Sequence, residues 1–522
     1  MGEADRRTAA EFGIPLDQLM EAAGGAVAAF SLRRYPEAKR VLAICGKGNN
    51  GGDGVVAARR LSKAALTVGV VLLGKADEVK GDAAVALKRL RAEAPAVRFF
   101  EAADDDALHA AVREFVTGGG IDLVLDAVVG TGFRPPLRGV AVTAREFASQ
   151  LGTPVVAVDV PSGWDADSME QTAEGAFRAD AVVTFTAPKL AHVFGYLTAG
   201  PVVVAGIGSP DAAIPDGDEL SWTGGSKALV ERPRNPNSNK GKFGHVLVVG
   251  GSYGTAGAPA MASLAALRTG AGLVTAGVPK SVVDVVAGGT PELMVKPLEE
   301  TEGAVARSNV DGERLTALLE RMTVVAIGPG LSQRGEVRDV ARDLVAKTTV
   351  PMVVDADGLN AFDGRADLLD GAGRVLVLTP HPGEMARLAG LTVKEVEADR
   401  IGLARRFAME HKLTLVLKGW RTLVAHPDGR VAVNTTGNPA MAKGGSGDIL
   451  TGIVAAMLAQ YPENTAAAVE AAVYLHGLAA DFAARAMDEH TVLATDTVTH
   501  LSDAFRYRVN DEDGLTWICG LR

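Results

Sequence analysis

Two glycine-rich stretches hold the residues best placed to do chemistry. The first is Cys45-Gly46-Lys47-Gly48-Asn49-Asn50-Gly51-Gly52-Asp53-Gly54, and the second is Lys443-Gly444-Gly445-Ser446-Gly447-Asp448. Each follows β-type sequence and opens an apolar helical run. A strand-to-helix join of this kind aims several backbone N–H groups at one point, beside the positive end of a helix dipole, and anions bind there. A tight turn needs one or two glycines. Those at 46, 48, 51, 52 and 54 allow positive φ and close backbone approach to a ligand. Asn49 and Asn50 add amide groups, and Asp53 can cap the helix or accept from ribose hydroxyls. Two cradles with different surroundings imply two active sites.

Other strand ends join each cradle. Asp126-Ala127-Val128-Val129-Gly130-Thr131-Gly132-Phe133 sets a carboxylate before a glycine loop, and Asp159-Val160-Pro161-Ser162-Gly163 repeats the arrangement. In open parallel sheets ligands sit beyond the carboxyl ends of strands. Asn50, Asp126 and Ser162 would offer hard oxygens there, suited to a monovalent or alkaline-earth cation rather than zinc. At the second cradle Asp448 stands at a helix start beside an anion hole. A general base in that place can help a hydroxyl attack phosphorus. Its bland alternative is an Asp N-cap. The loop is not a Walker A motif, because no Gly-Lys-Ser/Thr ends it. Leu417–Thr422 could cover a nucleotide phosphate or ribose, and His381 lies between Pro380 and Pro382. Asp355–Asn360 ends another strand with polar groups, and Gly328-Pro329-Gly330 makes a tight loop.

The elements that must position these residues read as two α/β series. In the first, strands at Val41–Cys45, Leu66–Leu73, Leu123–Ala127, Pro154–Asp159, Ala181–Phe185 and Pro201–Ala205 alternate with alanine-rich helical stretches. This is the pattern of a parallel sheet covered by helices. It fades in a Pro-, Asp- and Asn-rich stretch, so residues 211–228 are read as a linker between domains spanning 1–210 and 229–507. The second series starts at His245–Val249 and includes a hairpin turning at Pro427-Asp428-Gly429. The charged residues 508–522 show no packing pattern and are expected to fray.

Composition removes several function classes. A chain of 522 residues exceeds one ordinary core. A formal charge of −10 argues against nucleic acid. The two cysteines, Cys45 and Cys519, make no disulfide framework or zinc pattern, and a reducing cytoplasm is expected. No apolar run is long enough for a membrane span, and the start lacks the apolar core of a signal peptide.

On these motifs, with Asp180–Lys189, residues 1–208 resemble the NAD(P)H-hydrate epimerase domain. That resemblance implies K+ held at Asn50, Asp126 and Ser162. It implies dinucleotide contacts at Asn49, Asn50, Gly51, Gly52, Asp53, Gly130, Thr131, Gly132, Phe133, Arg134, Pro135, Pro136 and Asp159. Inversion at a hydroxyl-bearing ring carbon needs proton transfer, for which Asp159 is the first candidate and Lys189 the second. Lys189 has an alternative reading as a surface lysine.

Residues 225–505 resemble the ribokinase-like superfamily, and within it the NAD(P)H-hydrate dehydratase domain. The resemblance is carried by Thr379–Glu384, Leu417-Lys418-Gly419 and Asn438–Asp448. It implies substrate contacts at Ala258, Gly330, His381 and Asp448, and nucleotide contacts at Lys418, Gly419, Trp420, Arg421, Thr422 and Gly447. ADP as co-substrate, with Mg2+, completes the expectation. The joint reading is metabolite repair. One site epimerises the R and S hydrates of NADH and NADPH, and the other dehydrates the S form while ADP becomes AMP and phosphate. The expected partners are these small molecules and a second copy of the chain, with no nucleic acid or membrane.

The main alternative is a ribokinase-like vitamin or sugar kinase with an accessory dinucleotide-binding domain. A non-catalytic dinucleotide sensor would explain the glycines but not Asp448. A hydride-transferring dehydrogenase lacks the ribose-binding acid that should follow a glycine loop.

Overall fold

The computed structural model describes residues 2–214 and 220–522. The chain forms two compact units, Met1–Gly217 with Val509–Arg522, and Asp218–Arg508. Both are α/β.

The first unit contains β1 (Arg40–Cys45), β2 (Thr67–Leu72), β3 (Arg98–Glu101), β4 (Leu123–Ala127), β5 (Val155–Val158), β6 (Ala181–Phe185) and β7 (Val202–Ala205). They lie in the order β7-β6-β5-β4-β1-β2-β3 and all pair in parallel. Val41, Leu42, Ala43 and Ile44 are wholly buried, as a sheet covered on both faces requires. Sequence order reverses between β1 and β4, so a crevice opens beyond their carboxyl ends.

The first cradle is built differently from a glycine loop. The helix following β1 starts at Asn49 and runs to Lys63, so Asn49–Asp53 are helical. None of the glycines from 46 to 54 has positive φ. They serve close packing instead. A Cβ on Gly46 would lie 2.0 Å from the Val128 carbonyl oxygen, and one on Gly51 would lie 1.8 Å from that of Gly46. The helix thus presses directly on the end of β1 and holds Asn49, Asn50 and Asp53 at the crevice.

Two helices precede β1, Gly2–Phe12 and Leu16–Arg34. Leu19, Met20, Ala23, Val27 and Phe30 form the buried stripe of the second, at helical spacing.

Residues 508–522 do not behave as a frayed tail. Leu515–Cys519 pairs antiparallel with β7 and extends the first unit's sheet to eight strands. Trp517 is buried and packs against Phe30, with ring centroids 6.3 Å apart. Its indole N–H donates to Asp511, which is also paired with Arg33. Of the charges that suggested fraying, Asp511 and Asp513 both pair with Arg33.

In the second unit the sheet strands are β8 (Leu220–Trp222), β9 (His245–Val249), β10 (Leu273–Pro279), β11 (Met294–Leu298), β14 (Val324–Ile327), β15 (Met352–Val354), β16 (Leu376–Leu378), β17 (Thr414–Leu417), β18 (Leu423–Ala425) and β19 (Val431–Val433). A separate small hairpin joins β12 (Glu300–Thr301) to β13 (Ala304–Val305). The large sheet has the order β11-β10-β9-β14-β15-β16-β17-β18-β19-β8. It is parallel through β17, and β18–β19 is the hairpin expected from Pro427-Asp428-Gly429.

The expected linker is mostly not one. β8 pairs with β19, Thr223–Val230 is helical, and Lys227 is fully buried, its ammonium donating to the Phe505 and Tyr507 carbonyls. Of the remaining linker residues, 215–219 lie outside the described ones. The helix carrying Asp448, Ser446–Gln460, is buried continuously from Ile449 to Ala459. Gly452 lets it meet the helix Gly257–Thr269, since a Cβ there would lie 2.0 Å from the Ala262 carbonyl.

Candidate active sites

A cavity of about 700 Å³ opens at the β1/β4 crevice. Asn49, Asn50, Asp53, Gly130, Thr131, Gly132, Phe133 and Asp159 line it. Gly51 and Gly52 are buried against neighbouring elements. Arg134 instead pairs with Asp165 and Asp167, and neither Pro135 nor Pro136 reaches the cavity. The apolar wall from Leu16, Leu19 and Met20, together with Asp5 and Arg6, was not foreseen. The spacing of the Leu16–Arg34 stripe was the available signal.

Beneath the loop after β4, Asn50, Asp126 and Ser162 converge. Asp126 and Ser162 are fully buried. Asp126 accepts from the Ser162 backbone N–H at 2.7 Å. The Val129 N–H donates to Ser162 Oγ at 3.0 Å, and Asn50 Nδ2 donates to the Val129 carbonyl at 2.9 Å. Asn50 Oδ1 is buried with no hydrogen-bond partner. Burial pushes the Asp126 carboxyl up to about 6 despite the hydrogen bonds from Ser162 and Val128. A buried carboxylate and an orphaned amide oxygen form a donor set that suits a hard cation.

Asp159 follows β5 with φ +69°, a conformation uncommon for a side chain other than glycine. A buried network holds it there. Lys189 Nζ donates to Asp159 Oδ1 at 2.7 Å, to Thr184 Oγ1 at 2.6 Å and to the Phe185 carbonyl at 3.2 Å. Lys189 is therefore no surface lysine. His192 Nδ1 accepts from the Lys189 backbone N–H, so its Nε2 donates to the Asp159 carbonyl, 2.7 Å away. Burial, then the Lys189 charge, pushes His192 down to about 4 and keeps it neutral. Burial alone would raise the Asp159 carboxyl, but the Lys189 charge and the hydrogen bonds from Lys189 and Thr184 outweigh it and hold the group below its usual range. Asp53 is opposite in character. Burial and the charges of Asp159 and Asp5 push its carboxyl well above the ordinary value. One cavity thus holds an acid that gives up its proton readily and one that keeps it more tightly.

The second site gathers at the end of β15 and the start of the Asp448 helix. Gly445, with φ +99°, is the N-cap that turns the chain into this helix. Lys418 Nζ donates to Asp355 Oδ1 at 2.9 Å and lies 3.8 Å from Glu384. Burial opposes the Lys418 charge, but these acids raise its proton affinity above normal. A Cβ built on Gly447 would stand 3.3 Å from Lys418 Nζ, so ammonium and glycine loop are adjacent. Burial and the Asp355 charge push Asp448 up to about 6, with Lys418 acting against them.

A cavity of about 410 Å³ beside this point is lined by Lys418, Gly419, Trp420, Arg421, Thr422 and Gly447. Asn438, Leu450, Val473 and His476 also line it and were not foreseen. Arg400, from a different helix, holds the turn by donating to the Trp420 carbonyl. Ala258 and Gly330 adjoin, with 3.0 Å between the Ala258 Cβ and one built on Gly330. His381 caps the helix Pro382–Ala389, its Nδ1 accepting from Gly383 N–H at 3.0 Å. Its side chain is about half exposed. Sequence reading placed Asp355 among the polar strand-end residues and Glu384 in a motif of this site without giving either a partner, and it missed Thr451.

A family model described as NAD(P)H-hydrate dehydratase matches residues 246–505, and one described as YjeF-related protein N-terminus matches 16–191. A bifunctional NAD(P)H-hydrate repair enzyme of Moorella thermoacetica is 39% identical over 97% of this chain and 95% of its own length. That of Escherichia coli is 36% identical over 98% and 93%. The chain belongs to the bifunctional NAD(P)H-hydrate repair enzyme family. Among solved structures, the ADP/ATP-dependent NAD(P)H-hydrate dehydratase of Bacillus subtilis, co-crystallised with ATP and Mg2+, is 32% identical. It aligns over 56% of this chain and 99% of its own, with a TM-score of 0.48. The repair-enzyme family relatives span both units, so each of the two sites lies within the matched length.

Proposed function

We propose that the first site interconverts the R and S hydrates of NADH and NADPH, and that the second dehydrates the S form while ADP becomes AMP and phosphate. The carrying observation is the closeness of the Lys418 ammonium to the Gly447 loop, beside Asp448, on a chain of this family. A ring hydroxyl leaves poorly as hydroxide. In the proposed reaction Asp448 takes its proton, the oxygen bonds to the terminal phosphorus of ADP, and the bond from that phosphorus to the bridging oxygen breaks, releasing AMP. The ring nitrogen lone pair then expels phosphate, and loss of a neighbouring C–H proton restores the double bond. Lys418 and the loop N–H groups stabilise the migrating charge. Ala258, Gly330 and His381 are assigned to the substrate side, and the 410 Å³ cavity to the nucleotide.

No group of three or more His, Cys, Asp or Glu side chains among the described residues is arranged to hold a metal ion. Mg2+ entering on the nucleotide phosphates fits this arrangement.

At the first site Asp159 and Asp53 are the proposed proton-transfer pair. Asp53, whose carboxyl is pushed up by burial, can protonate the departing hydroxyl, so that it leaves as water. The Asp159 carboxylate faces the resulting cation, and water returns to either face, losing its extra proton to the Asp53 carboxylate. The three hydrogen bonds of Lys189 suit it to holding Asp159. Asn50, Asp126 and Ser162 would hold K+, and the orphaned Asn50 oxygen supports this reading. Bound there, the ion would supply a fixed positive charge beneath the loop that meets the dinucleotide.

The test is to incubate the full chain with mixed hydrates of NADH, supplying ADP and ATP in parallel, and to follow NADH absorbance. Conversion of both isomers is expected. Flat absorbance while a vitamin or sugar consumes nucleotide would assign a kinase instead.

A further inference from the structure

We propose that Asp355 is a positioning residue of the phosphoryl-transfer site, fixing the Lys418 ammonium against the glycine loop and tying it to the helix that carries Asp448. This rests on the dehydratase reading and deepens it.

Asp355 is 1% exposed and follows the end of β15. Its two carboxylate oxygens have different duties. Oδ1 accepts from Lys418 Nζ at 2.9 Å, and Oδ2 accepts from Thr451 Oγ1 at 2.7 Å. Thr451 lies three residues beyond Asp448 on the same helix, so one buried carboxylate clamps the cation to the element bearing the base. Its backbone is equally constrained. The Asp355 N–H donates to the Ile327 carbonyl at 3.0 Å, and a Cβ on Gly328 would lie 1.8 Å from the Asp355 carbonyl oxygen. A lysine is a flexible point charge, and its use at phosphorus depends on something else fixing the ammonium. Asp355 does this within 3.6 Å of a Cβ built on Gly447.

The same charge acts on the base. Asp448 is faced by Asp355 and Asp357, which make it hold its proton more tightly, and by Lys418, which acts in the opposite sense. A carboxylate strengthened in this way remains ionised at neutral pH and removes a hydroxyl proton more readily.

Asp355→Asn keeps the side-chain shape and removes the charge. In the repair assay with wild type alongside, kcat is expected to fall roughly 10- to 100-fold, with KM for ADP and equilibrium binding of AMP changed less than about threefold. The acidic limb of the pH–kcat profile should move to lower pH, because a negative charge facing Asp448 is gone. Combining Asp355→Asn with Lys418→Met should cost little more than Lys418→Met alone, since the two act as a unit.

Unchanged kcat and limb, or additive effects in the double variant, would overturn the proposal. So would a loss restored by raised Mg2+, which would make Asp355 a metal ligand. If Asp355→Asn does not fold, Thr451→Val becomes the second variant. It frees one carboxylate oxygen and keeps the charge, so a few-fold lower kcat with an unmoved limb is expected, and wild-type kcat would overturn the clamp. If wild type forms no NADH from the hydrate with ADP, the dehydratase reading fails on its own evidence.

Discussion

Asp448 and Asp126 have the same raised carboxyl, to about 6, for different chemical ends. In the proposed reaction Asp448 works as a base, so dehydration should rise with pH up to about 6 and level off above it. Asp448→Asn should lower dehydration kcat by roughly 10²- to 10⁴-fold and leave epimerisation intact, read by separate assays of the two steps. Asp126 is proposed to meet a cation. A carboxyl whose folded pKa is raised loses stability as pH climbs from its unfolded value near 4 to the folded value. K+ should restore that loss at neutral pH. The first unit's melting temperature is therefore expected to rise by a few degrees in K+ relative to Li+, and Asp126→Asn should abolish the difference. Equal melting in both salts would remove K+ from the site. Asp159 runs the other way. Its lowered carboxyl stabilises the folded unit above the unfolded value and loses that contribution as pH falls through the folded one.

At the scale of elements, the glycine run of the first cradle mixed two messages. Its composition marked a site, and a site cavity is there. Its geometry is a helix pressed on a strand, which no spacing of glycines distinguishes from an open loop. Gly51→Ala would place a methyl 1.8 Å from the Gly46 carbonyl, a backbone clash with no flexible end to yield. A loss of several kcal/mol is expected, since overpacking commonly costs ~1–3 kcal/mol even where side chains can adjust. Thermal melting should show it in the first unit, with dehydration retained. Gly48→Ala meets open space at its Cβ and serves as the control. The second cradle was easier to read, because Gly445 does take positive φ as the helix cap.

For the whole chain, the consequential finding is its path. It leaves the first unit, builds the second, and returns so that Leu515–Cys519 can complete the first sheet. A chain ending at Arg508 would leave the β7 edge unpaired and remove the buried Trp517. Loss of a buried aromatic commonly costs about 3–5 kcal/mol. Such a truncation should lower the first unit's melting temperature and weaken epimerisation, although the deleted residues are the last in sequence. Unaltered epimerase activity and melting would show the strand to be dispensable.

Local order in the sequence determined the alternation of strands and helices, the β18–β19 hairpin and the two glycine-marked helix starts, because hydrophobic period and turn chemistry act over a few residues. It also marked Asp448, Asp126 and Asp159 as acids at structural joins. Tertiary structure alone decided which acids hold their protons more tightly, since that depends on burial and on charges brought from distant segments, as Lys189 is to Asp159 and Asp355 to Asp448. It likewise decided that Asp355 and Glu384 flank the Lys418 ammonium, that His192 bonds the Asp159 carbonyl and that the last strand belongs to the first sheet. Pairing across hundreds of residues leaves no periodic trace in the segment that makes it.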